Sequence, residues 1–429
     1  MRITRRRIVA AALAGLVTIS SAACSSGSPD DSASGGKVTL DVGLFGSFGF
    51  KEAGLYDEYM KQHPDVTIVE NSPQNETDYW NALQTRLAGN SGLADIQAVE
   101  VGRLAQVKTN LAGKFADFNQ FDDSATYYQD FLPWKLELAR TTDGKQVAVG
   151  TDIGPMGMCY KPALFKAAGL PTEPEAVAQL WPSWDAYVAE GRKYVAQAGG
   201  KSTWTDSAAG VFRAAMGGTG QKYTDAGGNL IYAGSPDVAT AYKQATEAAQ
   251  GKETAALTQF TAAWNQSFTT DAYATLACPA WMLTYIKGQA GDKGSGQWAV
   301  TTAPSSGNVG GAYLAIPESS KNKAAAWELI KFLTSAESQQ AVFEKAGNFP
   351  TNLAAIDAVA SYKDPYFSDA PTGKILGDVA KSLPTQVIGA HDNDVETALM
   401  NAANEVAQKG TDPTTAYDSA VKSIKSAVG

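Results

Sequence analysis

The 429-residue sequence has few metal-binding side chains: two histidines, His63 and His391, and three cysteines, Cys24, Cys159 and Cys278. Zinc sites built on several such ligands are thereby all but excluded. Calcium, which takes oxygen ligands, is not. Basic residues are outnumbered, Lys+Arg 35 against Asp+Glu 44, for a net charge of −9. With no basic stripe of the kind a phosphate backbone requires, nucleic acid is not an expected partner. No Gly-x-Ser-x-Gly nucleophile elbow occurs, and no cysteine stands beside a plausible base, so nucleophilic catalysis has little support. Gly200-Lys201-Ser202 has Val195 where a phosphate loop needs its first glycine, and reads as a surface turn.

The N-terminus carries Thr4-Arg5-Arg6-Arg7, an apolar run over 8–19, and Ser20-Ser21-Ala22-Ala23 before Cys24. That is the charged, apolar, small-residue order of a secretory signal. The apolar run is shorter than the roughly 20 residues that span a bilayer core, so cleavage is expected rather than a permanent span. The paired arginines resemble a twin-arginine signal, although a general secretory signal uses the same residues. Small residues before Cys24, then Ser25-Ser26-Gly27-Ser28, resemble a lipobox with its tether, with Ser21 in place of the usual leucine. The expectations are a signal over 1–23, lipidation at Cys24 and a flexible tether over 24–36; the alternative is cleavage leaving a free Cys24. Two or more acyl chains anchor stably. Loss of residues 1–23 removes four arginines and no acid, leaving a net charge of −13.

Beyond the tether, strands are predicted over 38–45, 66–69 and 96–99, with helices over 52–62 and 78–88. Tyr79, Leu83 and Leu87 share one face of the second helix. This alternation predicts an α/β fold with a mostly parallel sheet, whose ligands bind in the loops after Leu44, Val69 and Val99. A second unit begins beyond 146–149, where Thr151-Asp152-Ile153-Gly154-Pro155 suits a chain crossing between lobes. Helices are predicted over 184–197, 237–251, 253–265 and 279–287, with Pro279 at a first helical position. Strands over 297–302 and 312–316 flank a second crossing at 305–311. Thr334 with Glu337 reads as a capping box, and helices over 394–408 and 413–428 close the chain.

Gly311-Ala312-Tyr313-Leu314-Ala315-Ile316-Pro317, Ser320-Lys321-Asn322-Lys323-Ala324-Ala325-Ala326-Trp327, Phe332-Leu333-Thr334-Ser335 and Gly347-Asn348-Phe349-Pro350 resemble the family 1 extracellular solute-binding proteins of ABC importers, the maltose-binding type. The resemblance spans almost all of the mature chain. Within it, Leu44-Phe45-Gly46-Ser47-Phe48-Gly49-Phe50-Lys51, Gly150-Thr151-Asp152-Ile153-Gly154-Pro155 with Cys159-Tyr160-Lys161, and Leu180-Trp181-Pro182-Ser183-Trp184-Asp185 look most like actinobacterial cello-oligosaccharide-binding lipoproteins. The resemblance implies a two-lobed, periplasmic-binding-protein-like type II fold that closes over a sugar about a hinge. The lobes would be discontinuous, one over 37–152 and 311–350, the other over 153–310 and 351–429.

By position against the family, Trp281 would stack on the sugar, because a pyranose offers apolar C–H bonds to a π-face while its hydroxyls need fixed polar partners. Core packing is the alternative. Ser47 and Phe48 after the first strand, Asn75 and Glu76 after the second, and Glu100 ending the third are further candidates, since a carboxylate accepts strongly from hydroxyls. So are Asp152 at the crossing, which would bind hydroxyls or hold the hinge, Trp204 and Asp206 in the second lobe, and Asp392 with Asn393 before the last helices. Arg213 would pair with Asp206 or the ligand. Cys159 and Cys278, an even pair in an exported protein, are expected to be bonded, with two buried thiols as the alternative.

These expectations combine into a lipid-anchored, monomeric binding subunit on the outer face of the cytoplasmic membrane, without cofactor or metal. It would pass an oligosaccharide, cellobiose or a longer cello-oligosaccharide, to ABC permease subunits. Xylo-, chito- and malto-oligosaccharides are alternative ligands. A secreted glycoside hydrolase would need paired carboxylates, and an adhesin would have no cleft.

Overall fold

The computed structural model describes residues 36–428. The signal, Cys24 and the tether up to residue 35 lie outside the described residues; among the described residues no helix is long and apolar enough to cross a membrane.

The fold is mixed α/β, with two sheets. The first has the order β2-β1-β3-β9-β4, from β1 (Val38–Gly43), β2 (Val66–Asn71), β3 (Ile96–Glu100), β4 (Val149–Gly150) and β9 (Ala312–Ala315). The second has the order β6-β7-β5-β8, from β5 (Met156–Tyr160), β6 (Thr203–Thr205), β7 (Tyr273–Pro279) and β8 (Ala299–Thr302). The expected mostly parallel sheet is instead mixed. β1 is parallel to β2 and β3, but β9 runs antiparallel to both β3 and β4. β9 is the chain's return from the second sheet, so it enters from the opposite end.

Alternation divides the second sheet's faces. Met156, Met158 and Tyr160 join a core with the helices Trp184–Ala198, Pro236–Gln250 and Asp392–Lys409, whereas Cys159, Leu276, Cys278 and Val300 join the core continuous with the first sheet. Cys159 and Cys278 form a disulfide across neighbouring strands, with Cα atoms 5.6 Å apart.

The crossings between the sheets meet at one place. Ile153 N donates to Phe349 O at 3.0 Å and Val309 N to Gly154 O at 2.9 Å. Asn308 clamps them further: its Oδ1 accepts from Gly154 N at 2.9 Å and its Nδ2 donates to Gly310 O at 3.0 Å. Gly310 (φ 83°) and Gly311 (φ 113°) lie in the left-handed region that favours glycine. A side chain on Gly154 would sit 2.0 Å from Val309 O, so the crossing chains touch only because that position is bare.

Two local expectations are corrected. Residues 253–261 are not helical; the helix is Ala262–Ser267. Glu253 O accepts from Trp204 N and Thr205 N, and Thr205 O from Ala255 N, so this segment extends the sheet edge beside β6. Ser335, not Thr334, caps the helix Ala336–Ala346, accepting from Ser338 N. Thr334 is held back by its own hydrogen bond to Ile330 O at 2.6 Å.

Candidate functional site

Between the lobes, the hinge presents Trp281. The residue follows the end of β7 in the first turn of the helix Ala280–Ala290, and its indole Nε1 donates to Val309 O at 2.8 Å. That bond fixes the ring against the crossing, partly buried and packed on both cores. Phe260 stacks on it, with ring centroids 6.1 Å apart and planes at 26°, and Tyr285 meets Phe260 edge-on at 5.7 Å. Phe260 is 49% exposed. It ends a strap in which Lys252, Ala256 and Phe260 all adopt positive φ, the kind of strain that persists where the surroundings over-determine it. Phe260 was hidden from sequence reading because a helix was expected there. The signal was the spacing Phe260, Trp264, Trp281, Tyr285, which only the fold brings together. A cavity of about 20 Å³ beneath Trp281 is lined in part by Arg213, Gln259, Pro279 and Val309.

The remaining polar candidates are held as follows. Glu100 ends β3 and its Oε2 accepts from Gly102 N at 2.6 Å. Asn393, from the other lobe, lies over Gly102: a methyl group there would come within 2.5 Å of Asn393 Nδ2 and 2.9 Å of Glu100 Oε2. Glu76 forms a two-pronged pair with Arg103, both contacts at 3.0 Å. Arg213 lies 3.0 Å from Glu396, not beside Asp206. Asp152 Oδ1 accepts from Ala312 N at 3.0 Å and Thr151 Oγ1 at 2.8 Å, which ties it to the hinge. Ser47 is exposed in the loop after β1, where its carbonyl accepts from Asn348 Nδ2 at 3.3 Å.

Other candidates are held elsewhere. Phe48 is buried against Phe45 and Phe50; Phe45 is the partly exposed ring of that loop. Trp204 is fully buried among Phe165, Trp181, Tyr187 and Tyr194, with no face left for a ligand. Asp206 is buried too, accepting from Trp264 Nε1 at 2.8 Å, Gln259 Nε2 at 2.9 Å and Ser207 Oγ at 3.1 Å. It anchors the strap that carries Phe260. Asn75 caps the helix Glu76–Gly89 through Asp78 N. Both oxygens of Asp392 are engaged internally, by Thr224 Oγ1 at 2.6 Å and Gly389 N at 3.0 Å.

Comparison with known proteins gives the family and the fold. The profile of the bacterial extracellular solute-binding protein family matches residues 54–369. The chain belongs to that family. The solute-binding protein is similar to a crystal structure described as an extracellular solute-binding protein of family 1, at 34% identity and TM-score 0.84, covering 91% of this chain and 100% of that one. Two solved structures share its fold at lower identity. One is the ABC-transporter-associated binding protein of B. animalis subsp. lactis Bl-04 in complex with β-1,6-galactobiose (19%, TM-score 0.72, 91% and 97% coverage). The other is the galacto-N-biose/lacto-N-biose I-binding protein of Bifidobacterium longum in complex with lacto-N-biose (18%, TM-score 0.72, 91% and 97% coverage). No curated protein matches the chain significantly. The family is one of binding proteins, so the chain is a solute-binding protein and not an enzyme.

Burial shifts several charged groups of the solute-binding protein. Desolvation pushes Glu100 up to about 7, reinforced by Glu76 and opposed by Gly102 N, Arg213 and Arg103. Burial lowers Lys222, which Glu396, Asp392 and Glu100 oppose and Arg213 reinforces. Neither Lys222 nor Glu396 stood out in the sequence, where both are single charges in unremarkable runs. Lys135 is pushed down to about 7 by desolvation, against Asp152 and Glu100.

Proposed function

We propose that this protein captures an oligosaccharide outside the cell and delivers it to the permease of an ABC importer. Lipid attached at Cys24 would hold it at the outer face of the membrane, and it would act as a monomer without cofactor or metal. The observation that carries the reading is the Trp281–Phe260 ring pair at the hinge, which we combine with the polar group of Glu100 and Asn393 around Gly102. Rings supply the apolar face a pyranose needs, and the carboxylates and amide supply partners for its hydroxyls. The disaccharides bound by the two bifidobacterial proteins support this class of ligand.

Within the class, cellobiose or a longer cello-oligosaccharide is the ligand to which the sequence motifs point. The lobes are 37–152 with 311–350 and 153–310 with 351–429, closing about the crossings at Ile153, Gly310 and Phe349. Trp281, Asp152, Glu100, Glu76, Asn393 and Ser47 are the residues through which the sugar is held. A glycoside hydrolase is disfavoured by the family assignment. Incubating the protein with cello-oligosaccharides tests both points: the sugars are recovered intact while calorimetry registers binding. Any turnover above background would contradict the reading.

A further inference from the structure

The strap over 252–260 is tied down at successive points. Ala255 N donates to Thr205 O at 2.8 Å and Leu257 N to Asp206 O at 3.1 Å. Gln408 Nε2, from the helix Asp392–Lys409, donates to Ala256 O at 3.1 Å and to Thr258 Oγ1 at 3.0 Å. Within these ties Lys252, Ala256 and Phe260 sit at φ 56°, 52° and 67°, a region unfavourable to any residue with a side chain and most of all to a bulky one. The strap ends on a ring that is 49% exposed beside Trp281. Burial of that ring offsets little of the strain, because half of it stays in water, so core packing alone does not account for the strap's shape.

Asp206 holds two supports of the Phe260 ring by direct contact. One carboxyl oxygen, Oδ2, accepts from Nε2 of Gln259, the residue just before Phe260, at 2.9 Å, and from Trp264 Nε1 at 2.8 Å; Ser207 Oγ donates to the same oxygen at 3.1 Å. Trp264 is fully buried, and its ring centroid lies 5.1 Å from that of Phe260. Gly210 makes room for the contact with Gln259. A methyl group there would lie 2.8 Å from Gln259 Nε2 and 3.1 Å from Asp206 Oδ1. The glycine stands inside the helix Ala208–Met216 without a positive φ, where alanine is the better helix former. What it supplies is clearance. Asp206 itself is 1% exposed and presents no surface to a ligand, so it acts through these neighbours.

We propose that Asp206 is a positioning residue for ligand capture, whose buried carboxyl group, through Gln259 and the indole of Trp264, holds Phe260 against Trp281 so that the two rings offer the ligand one apolar surface. This rests on the oligosaccharide-binding reading above. The elements it links are β6, which Asp206 follows, the strap, through Leu257 and Gln259, and the helix Ala262–Ser267, through Trp264.

The direct test needs no ligand. The indole N–H of Trp281 is followed by proton–nitrogen NMR, with Trp281→Phe assigning the signal, and its displacement in Phe260→Ala measures what the neighbouring ring contributes. Gln259→Met keeps the bulk and removes the donor. It is expected to move the signal in the same direction as Phe260→Ala, and to leave it unmoved when Phe260 is already alanine. Asp206→Ala should behave likewise, whereas Asp206→Asn, whose amide oxygen takes the place of Oδ2, should rescue the wild-type signal. A signal unmoved in Gln259→Met and Asp206→Ala, or displaced equally with and without the Phe260 ring, overturns the proposal. If Asp206→Ala does not fold, Gln259→Met decides alone.

Binding supplies the second readout, with cellobiose, xylobiose, chitobiose and maltose as calorimetric probes. Gln259→Met is expected to weaken the sugar that the wild type binds by up to about tenfold, the scale of one aromatic contact. Combined with Phe260→Ala it should add no further loss, because both changes remove the same contact. Additive losses would mean a general structural role and would overturn the proposal, as would unchanged affinity in Gln259→Met. A wild type that binds none of the probes, with the indole signal still following the expected pattern, would sink the oligosaccharide reading while leaving the positioning of Phe260 by Asp206 supported.

Discussion

Asn393 of one lobe stands over Gly102 of the other, close enough that a single methyl group on Gly102 would meet its side-chain amide at 2.5 Å. The glycine has no positive φ to require it, so what it supplies is clearance for the two lobes to meet. Gly102→Ala is therefore expected to prop the cleft. Calorimetry should show about a tenfold or greater loss of ligand affinity, while the melting temperature changes little, because the backbone accepts alanine there.

Phe260 and Trp204 should separate binding from folding. Phe260 is half exposed beside Trp281, whereas Trp204 is enclosed by four rings. Phe260→Ala is expected to weaken sugar binding and cost under about 1 kcal/mol of stability. Trp204→Ala should cost about 3–5 kcal/mol, the range for a large buried ring. Urea melts alongside titrations check both; a stable Trp204→Ala protein with lost binding would reverse the assignment.

Much of the fold was legible in the sequence because period-2 and period-3.6 patterns report burial directly. Tyr79, Leu83 and Leu87 are indeed the buried face of their helix. The direction of β9 was not legible, since pattern does not reveal which way a returning strand enters a sheet. Nor was the strap: 253–260 has helical composition, and it is tertiary hydrogen bonding to β6 and Asp206 that keeps it extended. For the site, Trp281 was singled out by its position against the family; the strand Tyr273–Pro279 that leads to it was not among the predicted elements, and Pro279 precedes the helix rather than opening it. Trp204 and Asp206 misled because an aromatic beside an acid serves a core as readily as a cleft. Phe260 meets Trp281 only through the folding of separate segments onto one another.

The disulfide closes a sequence separation of 119 residues. In the chain-entropy account a loop of that length contributes up to about 5 kcal/mol, and removal of native disulfides commonly costs about 2–5 kcal/mol. The double variant Cys159→Ser, Cys278→Ser should melt well below the wild type, and reductant should lower the wild-type melting temperature alone. Equal melting temperatures with and without reductant would show that the bond does not contribute.

Glu253 gives a pH signature. Its side chain is fully buried, with Oε1 3.2 Å from Arg192 Nε, and desolvation pushes it up to about 7 against the opposing pull of Arg192. A carboxyl whose folded pKa lies above its unfolded value binds protons more tightly in the native state. Its contribution to stability is therefore full below about pH 4.3 and is lost as the pH rises towards about 7. Glu253→Gln should flatten the difference in denaturation midpoint across that window; an unchanged slope would place the titration elsewhere.

The account's central claim is that a hinged clamp stacks an oligosaccharide on Trp281. It is tested most directly by calorimetric titration of the wild type and Trp281→Ala with cellobiose, cellotriose, xylobiose, chitobiose and maltose. The account predicts binding in the micromolar range or tighter for one series, cellobiose and cellotriose first, and loss of most of that affinity in Trp281→Ala. Binding by neither protein to any of these sugars, or equal affinity in both, would contradict it.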